Sequence, residues 1–272
     1  FARTSLNLEQ QLIQVKQLSA AALEHEKVKV ENDRRAKELE EARQLQLSML
    51  PKKLPALPHL DIAAFMKTAT EVGGDYYDFH VSDDGTLTIA IGDATGHGLK
   101  AGTMVTATKS LFNETNGDEA PAALLQRCSR ALKAMNLRGL FMALTVAKVQ
   151  EYRVTFAAAG MPPILIYRAA EQHIEEVFIK AMPLGSLSKY TYKEQDLMLA
   201  SGDVVVLMSD GLPECFNGAG DMLGYEMMQT ILQGAALLSA ADIIQQFVAQ
   251  GEAWANGKPQ DDDMTFVVLK IR

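Results

Sequence analysis

The chain has 272 residues, of which 48% are hydrophobic and 22% charged, so it is long and apolar enough to bury a substantial core. Its formal net charge of −8 argues against nucleic acid as a partner. No apolar run approaches the roughly 18 residues that a membrane-spanning helix needs, so we expect a soluble chain without a membrane partner in this segment.

The cysteines and the first residue bear on where the protein works. Cys128 and Cys215 are too few for a disulfide framework and lie in no paired metal-binding spacing, which favours the reducing cytoplasm. The sequence opens on Phe1 without a signal peptide, which indicates a piece of a longer protein. Any attachment to a membrane would then lie in the missing N-terminal part.

The first 50 residues predict one long helix. They contain no glycine and no proline, and they are rich in residues that lose little on entering a helix. An unbroken helix over residues 6–49 would be about 66 Å long, so it should project from the rest of the molecule. Residues 1–50 are therefore predicted to form a helical linker.

The same helix carries an apolar seam with three- and four-residue spacing, which is formed by Leu8, Leu12, Val15 and Ala22. Charged residues then stand where the seam should continue, at Glu26, Lys29 and Asp33. The pattern predicts a weak or interrupted coiled coil that pairs two copies of the chain and transmits a signal. A solvated charged helix is the alternative.

Three prolines, Pro51, Pro55 and Pro58, end this helix, because proline cannot continue the backbone ladder. A globular domain is predicted over residues 51–272. Strand patterns follow in "DIAAFMK", "TLTIAIGD", "FMALTVAKV", "RVTFAAA", "ILIYR", "DVVVLMSD" and "MTFVVLKI". Helical spacing occurs in "AGTMVTATKSLFNET", "APAALLQRCSRALKAMN" and "SAADIIQQFVAQGEAWA". Because the helices are grouped rather than alternating regularly with strands, we expect an α+β fold of layers.

Acidic residues mark four strand ends. "VGGDYYDF" opens a strand at Asp75, "AIGDATGHG" ends one at Asp93, "VVVLMSDGLPE" ends one at Asp210, and "QDDDMTFVV" begins the last after Asp261–Asp263. One such acid is an ordinary turn residue. Four converging carboxylates would repel one another unless cations neutralise them. The two glycines before Asp75 leave room for a bound group or another strand.

Carboxylates without a usable His or Cys ligand spacing select hard cations, Mg²⁺ or Mn²⁺. Two such ions would activate a water and clamp a phosphoryl group, so phosphate-ester hydrolysis is the predicted chemistry. Neither cysteine has an arginine six positions later, which excludes a thiolate phosphatase loop. The sequence also has no G-x-x-x-x-G-K-[ST] nucleotide loop.

Seven segments occur in an order that is informative: "EARQLQLSMLP", "EVGGDYYDF", "GDATGHGLKAG", "AGMPP", "PLG", "LMSDGLPE" and "DDMTFVV". Over roughly residues 40–272, this set resembles the metal-dependent (PPM, type 2C) protein phosphatases in their bacterial SpoIIE/RsbU-like branch. The resemblance implies an αββα sandwich of two antiparallel sheets flanked by helices. It also implies a site for two Mn²⁺ or Mg²⁺ ions at one edge of the sandwich.

Site residues follow from the resemblance, motif by motif. Asp75 resembles the ligand from the first strand of that site, and Asp93 resembles the carboxylate that bridges both ions, so these two carry the catalysis. Ala94 stands where the family offers a main-chain carbonyl, usually from glycine. Asp210 resembles the ligand in the "SDG" turn.

The last ligand of the family's site resembles Asp262, with Asp263 or Asp261 as alternatives because three aspartates stand together. His97 follows Asp93 by four residues, whereas some family members place a histidine near the leaving group. It is interpreted either as an acid or as a loop residue.

The implied function is hydrolysis of phosphoserine or phosphothreonine on a protein by metal-activated water. The resemblance suggests a phosphorylated STAS-type anti-sigma factor antagonist as the substrate. It also suggests an upstream sensory domain in the same chain that acts through the helix of a homodimer. One alternative is a catalytically inactive phosphatase fold used as a binding module. Another is a histidine-kinase-like ATPase, which His25 and "DATGHG" echo with the wrong glycine spacing.

Overall fold

The computed structural model describes residues 2–69, 72–115, 118–187 and 189–272. In the first helix it describes the side chains of residue 14, of residues 16, 18 and 19, and of every residue from 21 on. The helices are α1 Ala2–Ser48, α2 Leu99–Asn113, α3 Pro121–Ala134, α4 Tyr225–Ala235 and α5 Ala240–Ala255. The strands are β1 Leu60–Lys67, β2 Asp75–Val81, β3 Leu87–Ala94, β4 Met142–Gln150, β5 Arg153–Ala159, β6 Ile164–Arg168, β7 His173–Val177, β8 Glu194–Met198, β9 Val204–Met208 and β10 Met264–Ile271.

The strands form two five-stranded antiparallel sheets. One sheet has the order β1-β10-β9-β6-β7, and the other has the order β2-β3-β4-β5-β8. The first and last strands of the globular part, β1 and β10, are therefore neighbours. Consecutive strands β2 to β5 form a meander. Short turns join β2 to β3 and β4 to β5, whereas helices α2 and α3 lie in the connection from β3 to β4.

Three apolar layers hold the sheets and helices together. A central core lies between the two sheets and includes Ile89, Ile91, Val205, Leu207 and Val267. Helices α4 and α5 pack on the outer face of the first sheet, where the rings of Phe247 and Phe266 stack 5.1 Å apart. Helices α2 and α3 cover the outer face of the second sheet. This arrangement confirms the predicted α+β fold, an αββα sandwich of two antiparallel sheets flanked by helices.

Burial on both faces explains why the central strands are apolar throughout. Every residue of β9 is buried, and β10 is buried apart from Lys270, because each strand lies between a helix layer and the other sheet. The edge strands β7 and β8 are largely polar and exposed, and the sequence patterns did not predict them. Helix α4 was also not predicted.

Helix α1 runs for 47 residues and ends three positions before Pro51. Along its described side chains, Leu18, Leu23, Val28 and Val30 are exposed, and so is Ala22 of the predicted seam. The side chains of Leu8, Leu12 and Val15 lie outside the described residues, so the coiled coil stays a prediction. Among the described residues, no helix combines the length and apolar character that crossing a membrane requires.

Candidate metal centre

Two of the predicted site residues lie opposite each other on the β2–β3 hairpin. The strands are joined by the "SDDGT" turn, in which the Ser82 N–H donates to the Thr86 oxygen at 2.9 Å. The register pairs Asp75 with Asp93. Directly opposed residues of an antiparallel pair point to the same face of a sheet, so both carboxylates lie on one side. Asp75 is 3% exposed.

The other two candidate ligands come from the first sheet. Asp210 follows β9 and Asp262 precedes β10, and these strands pair in antiparallel fashion with Met208 opposite Phe266. The end of one strand and the start of its antiparallel neighbour lie at the same edge of a sheet. A side chain at Gly211 would collide with the main-chain oxygen of Asp263, so this turn requires glycine.

Two hydroxyl groups of the first sheet bind the carboxylate of Asp75 in the second. Ser209 Oγ donates to Asp75 Oδ2 at 2.8 Å, and Thr265 Oγ1 donates to the same oxygen at 2.5 Å. These bonds join the two sheets at the edge where the four acids lie. Because both end on Oδ2, they orient the carboxylate without occupying Oδ1.

The three consecutive aspartates before β10 have different surroundings. Asp263 is 4% exposed and accepts main-chain N–H bonds from Ala69 and Gly74 at 2.7 Å and from Asp75 at 3.3 Å. Asp261 is exposed and pairs with Lys258 at 2.6 Å. Asp262 accepts the N–H of Asp263 on Oδ1 at 2.8 Å. Asp262 is therefore the one of the three carboxylates that neither pairs with a lysine nor accepts several main-chain hydrogen bonds.

The two glycines before Asp75 leave room for atoms of the site to approach the main chain. A Cβ added at Gly74 would lie 2.7 Å from both the main-chain oxygen of Ala94 and Oδ1 of Asp93. A Cβ at Gly73 would collide with the carboxylate of Asp263. Both glycines are needed because candidate ligand atoms and the carboxylate of Asp263 approach the backbone closely on this side.

A small cavity of about 130 Å³ opens at this edge of the sandwich. Asp93, Ala94, His97 and the segment Asp261–Asp263 are among its lining residues. His97 is exposed and lines the same cavity as Asp262. Its role as an acid or as a loop residue stays a prediction.

Burial and mutual repulsion perturb the carboxylates. Burial, followed by the charges of Asp75, Asp210 and other neighbouring aspartates, raises the pKa of Asp93 to about 9. Burial likewise raises the pKa of Asp75 to about 8, against the opposing hydrogen bond from Thr265. The pKa of Asp210 rises to about 6 through burial and the nearby Glu214. The charges that act on Asp93 come from acids of both sheets.

The comparison with known families decides which class of protein carries this arrangement. The family model described as Stage II sporulation protein E (SpoIIE) matches residues 83–272. The chain belongs to the SpoIIE family. The SpoIIE-family chain is 28% identical over 240 residues to the phosphoserine phosphatase RsbU of Bacillus subtilis (strain 168), covering 86% of this chain and 70% of RsbU.

Solved structures show the same fold for this SpoIIE-family chain. The SiaA-PP2C domain of Pseudomonas aeruginosa matches with a TM-score of 0.78 and 22% identity, covering 89% of this chain and 98% of that domain. RsbX, solved in complex with magnesium, matches with a TM-score of 0.61 and 16% identity, covering 81% of this chain and 99% of RsbX. The predicted family and enzyme class, a protein serine/threonine phosphatase, are confirmed.

The donor set of the SpoIIE-family site fits hard divalent cations. The side chains offer carboxylate oxygens, and a bound cation would offset both the burial and the mutual repulsion that raise the pKa values of Asp75 and Asp93. Within the described residues, no three His, Cys, Asp or Glu side chains are arranged closely enough to hold an ion as they stand.

Sequence reasoning missed the hydrogen-bonding roles of four polar residues that support this site. Ser209 and Thr265 lie inside the quoted motifs "LMSDGLPE" and "DDMTFVV", so the motif positions could have drawn attention to them. Asp263 was considered only as a ligand. Gln46 likewise lies inside the quoted motif "EARQLQLSMLP", so its position could also have drawn attention to it.

Proposed function

We propose that this chain hydrolyses phosphoserine or phosphothreonine on a protein, with two Mn²⁺ or Mg²⁺ ions held by Asp75, Asp93, Asp210, Asp262 and the main-chain carbonyl of Ala94. The observation that carries the proposal is the position of four acids from both sheets at one edge, of which Asp75 is buried and Asp93 and Asp210 are half-buried. When bound, two divalent cations supply a nucleophile at neutral pH and stabilise charge on the phosphoryl oxygens. The RsbX structure with magnesium supports the choice of a hard cation.

The chain's own residues position this machinery. Ser209 and Thr265 fix the carboxylate of Asp75 through Oδ2. Asp263 holds the main chain that leads into β2, and Gly74 leaves room for the oxygens of Asp93 and Ala94. The buried setting strengthens electrostatic interactions with a phosphoryl group because water is displaced.

The test is hydrolysis of p-nitrophenyl phosphate and of a phosphoserine peptide, measured with and without Mn²⁺. We expect Mn²⁺-dependent activity that falls about 100-fold or more in Asp93→Asn, because a ligand position is lost. Asp83→Asn is the matched control, since Asp83 lies in the exposed hairpin turn. Full activity of Asp93→Asn, or activity in excess chelator, would contradict the proposed mechanism. A silent chain with intact metal binding would favour the alternative of an inactive binding module.

For the substrate, we propose a serine-phosphorylated STAS-type anti-sigma factor antagonist in the cytoplasm. Support comes from membership of the SpoIIE family and from similarity to the phosphoserine phosphatase RsbU. Release of phosphate from a purified phosphorylated STAS-domain protein, compared with a generic phosphoserine peptide, tests this choice. Equal rates on both substrates would speak against it.

For regulation, we propose that an upstream sensory domain acts through the helical linker of residues 1–50 on the phosphatase domain of residues 51–272. The end of α1 touches the main chain that leads into β2. The Gln46 side chain is 7% exposed, donates to the Gly73 oxygen at 2.8 Å and accepts the Gly73 N–H at 3.1 Å. Arg43 donates to Thr68 Oγ1 at 3.4 Å. A displacement of the helix would therefore reach the backbone next to Asp75.

A further inference from the structure

A groove of about 440 Å³ lies beside the candidate metal centre and shares Asp210 with it. Its walls are the 160–163 loop between β5 and β6, residues 176–181 at the end of β7 and after it, Glu214, and the first residue of α4. The volume lies within the range of about 300–1,000 Å³ that is usual for ligand sites. The groove is therefore large enough for several side chains of a bound segment.

One side of the groove is apolar and preformed. Phe178 is 59% exposed there, with Pro162 and Pro163 also lining the groove. Gly160 has a φ of 81°, and a Cβ at this position would lie 2.8 Å from the Pro183 ring, so the loop packs directly on the segment after β7. An exposed phenylalanine among rigid prolines offers a contact surface that needs little ordering on binding.

The other side of the groove is acidic. Glu176 and Glu214 line the groove together with Tyr225. Glu176 is held in place by Gln229, whose Nε2 donates to it at 2.8 Å. Lys180 is the one basic residue among the lining residues, which leaves the lining net negative. A basic side chain beside Tyr225 would meet both opposite charge and an aromatic ring.

We propose that this groove binds the extended polypeptide segment that flanks the phosphoserine of the substrate. It selects a segment with a large apolar side chain for the Phe178 wall and a basic side chain for the carboxylates near Tyr225. The inference rests on the proposed phosphatase function, because continuity through Asp210 places the segment next to the reacting phosphate.

The test uses two phosphoserine peptides of equal length, one flanked by leucine and arginine and the other flanked by alanines. We expect a higher kcat/KM for the leucine–arginine peptide with the unaltered chain. In Phe178→Ala that preference should fall about tenfold, chiefly through KM, because the apolar wall is lost. Leu237→Ala is the control, since Leu237 is 87% exposed between α4 and α5 and should keep the full preference. An undiminished preference in Phe178→Ala overturns the proposal.

A charge exchange separates recognition from a general loss of stability. Glu176→Lys should weaken the leucine–arginine peptide about tenfold and strengthen a leucine–glutamate peptide by a similar factor. Equal losses on both peptides, or none, overturn the acidic side of the groove.

Binding of the same peptides, labelled and followed by fluorescence anisotropy, does not require turnover. If Mn²⁺ supports no hydrolysis of p-nitrophenyl phosphate, the proposed function fails while the anisotropy still tests the groove. Identical dissociation constants for all peptides, or a groove variant that changes only the oligomeric state, overturn the groove proposal alone.

Discussion

Asp75 shows how a buried carboxylate is held in place at an edge shared by two sheets. Burial without compensation is costly for a charged group, and the hydroxyls of Ser209 and Thr265 offset part of that cost. Both donors belong to the opposite sheet, so the orientation of Asp75 depends on how the sheets pack. Partners of this kind commonly set the affinity of a metal site as strongly as the ligands themselves.

Removing one of these donors tests that dependence. Thr265→Val keeps the shape of a fully buried side chain in β10 but deletes the hydrogen bond to Asp75. We expect the Mn²⁺ concentration for half-maximal hydrolysis of p-nitrophenyl phosphate to rise about 10-fold or more. Thr106→Val is the matched control, because Thr106 is exposed and bonds only within α2. Unchanged Mn²⁺ affinity, measured by calorimetry, would show that the hydroxyl does not support the site.

Some of the residue roles were accessible from the sequence and others were not. The four acidic junctions were visible because each acid interrupts an apolar strand pattern. The different hydrogen bonding of Asp261, Asp262 and Asp263 was not predictable, because it depends on which main-chain N–H groups of the 69–75 segment reach each carboxylate. Neighbouring residues of the same type carry no local signal that separates such roles.

Among the elements, the contact between α1 and the main chain before β2 has a direct consequence. Gln46 offers one donor and one acceptor to the two main-chain groups of Gly73, and both bonds are buried. Buried paired bonds of this kind fix one arrangement strongly, since breaking them leaves polar groups without partners.

We predict that Gln46→Ala raises the Mn²⁺ concentration for half-maximal activity about 10-fold, because the backbone beside Asp75 is no longer held. Gln44→Ala is the control, since Gln44 lies on the exposed side of the same turn and bonds only to Glu40. Mn²⁺ titrations of both variants provide the measurement. If the two variants respond alike, α1 does not act on the site through Gln46.

The elements that sequence patterns predicted are those with a strong apolar signal. Strands β9 and β10 are buried on both faces, and α3 and α5 have clear helical spacing, so their positions were recognisable. Edge strands β7 and β8 carry mostly charged and polar residues, so their strand character comes from pairing with β6 and β5 rather than from their own composition. Helix α4 spans 11 residues, and its apolar spacing was not recognised from the sequence.

At the scale of the whole molecule, the proposed partner of α1 is the same helix of a second copy of the chain. Leu18 and Leu23 are 64% and 56% exposed on a helix that projects from the sandwich. A long helix of this kind commonly buries such residues by pairing with another copy. We therefore propose a homodimer through α1.

The dimer is tested by sedimentation. We expect the chain to sediment as a dimer and Leu18→Lys with Leu23→Lys to sediment as a monomer with unchanged circular dichroism in the strand region. Leu237→Lys, which places the same charge on an exposed leucine of the globular part, should leave the dimer intact. A chain that is already monomeric at micromolar concentration would remove the basis for signalling through helix pairing.

Asp263 links the main chain that leads into β2 to the start of β10. Its carboxylate accepts hydrogen bonds from the main-chain N–H groups of Gly74 and Asp75, at the entry to β2. Asp263 itself lies directly before β10. A displacement of either segment would therefore displace the other. An ion that attracts Asp75 would then also move Asp262. If the proposed site holds two ions, we therefore expect binding of the first to favour binding of the second.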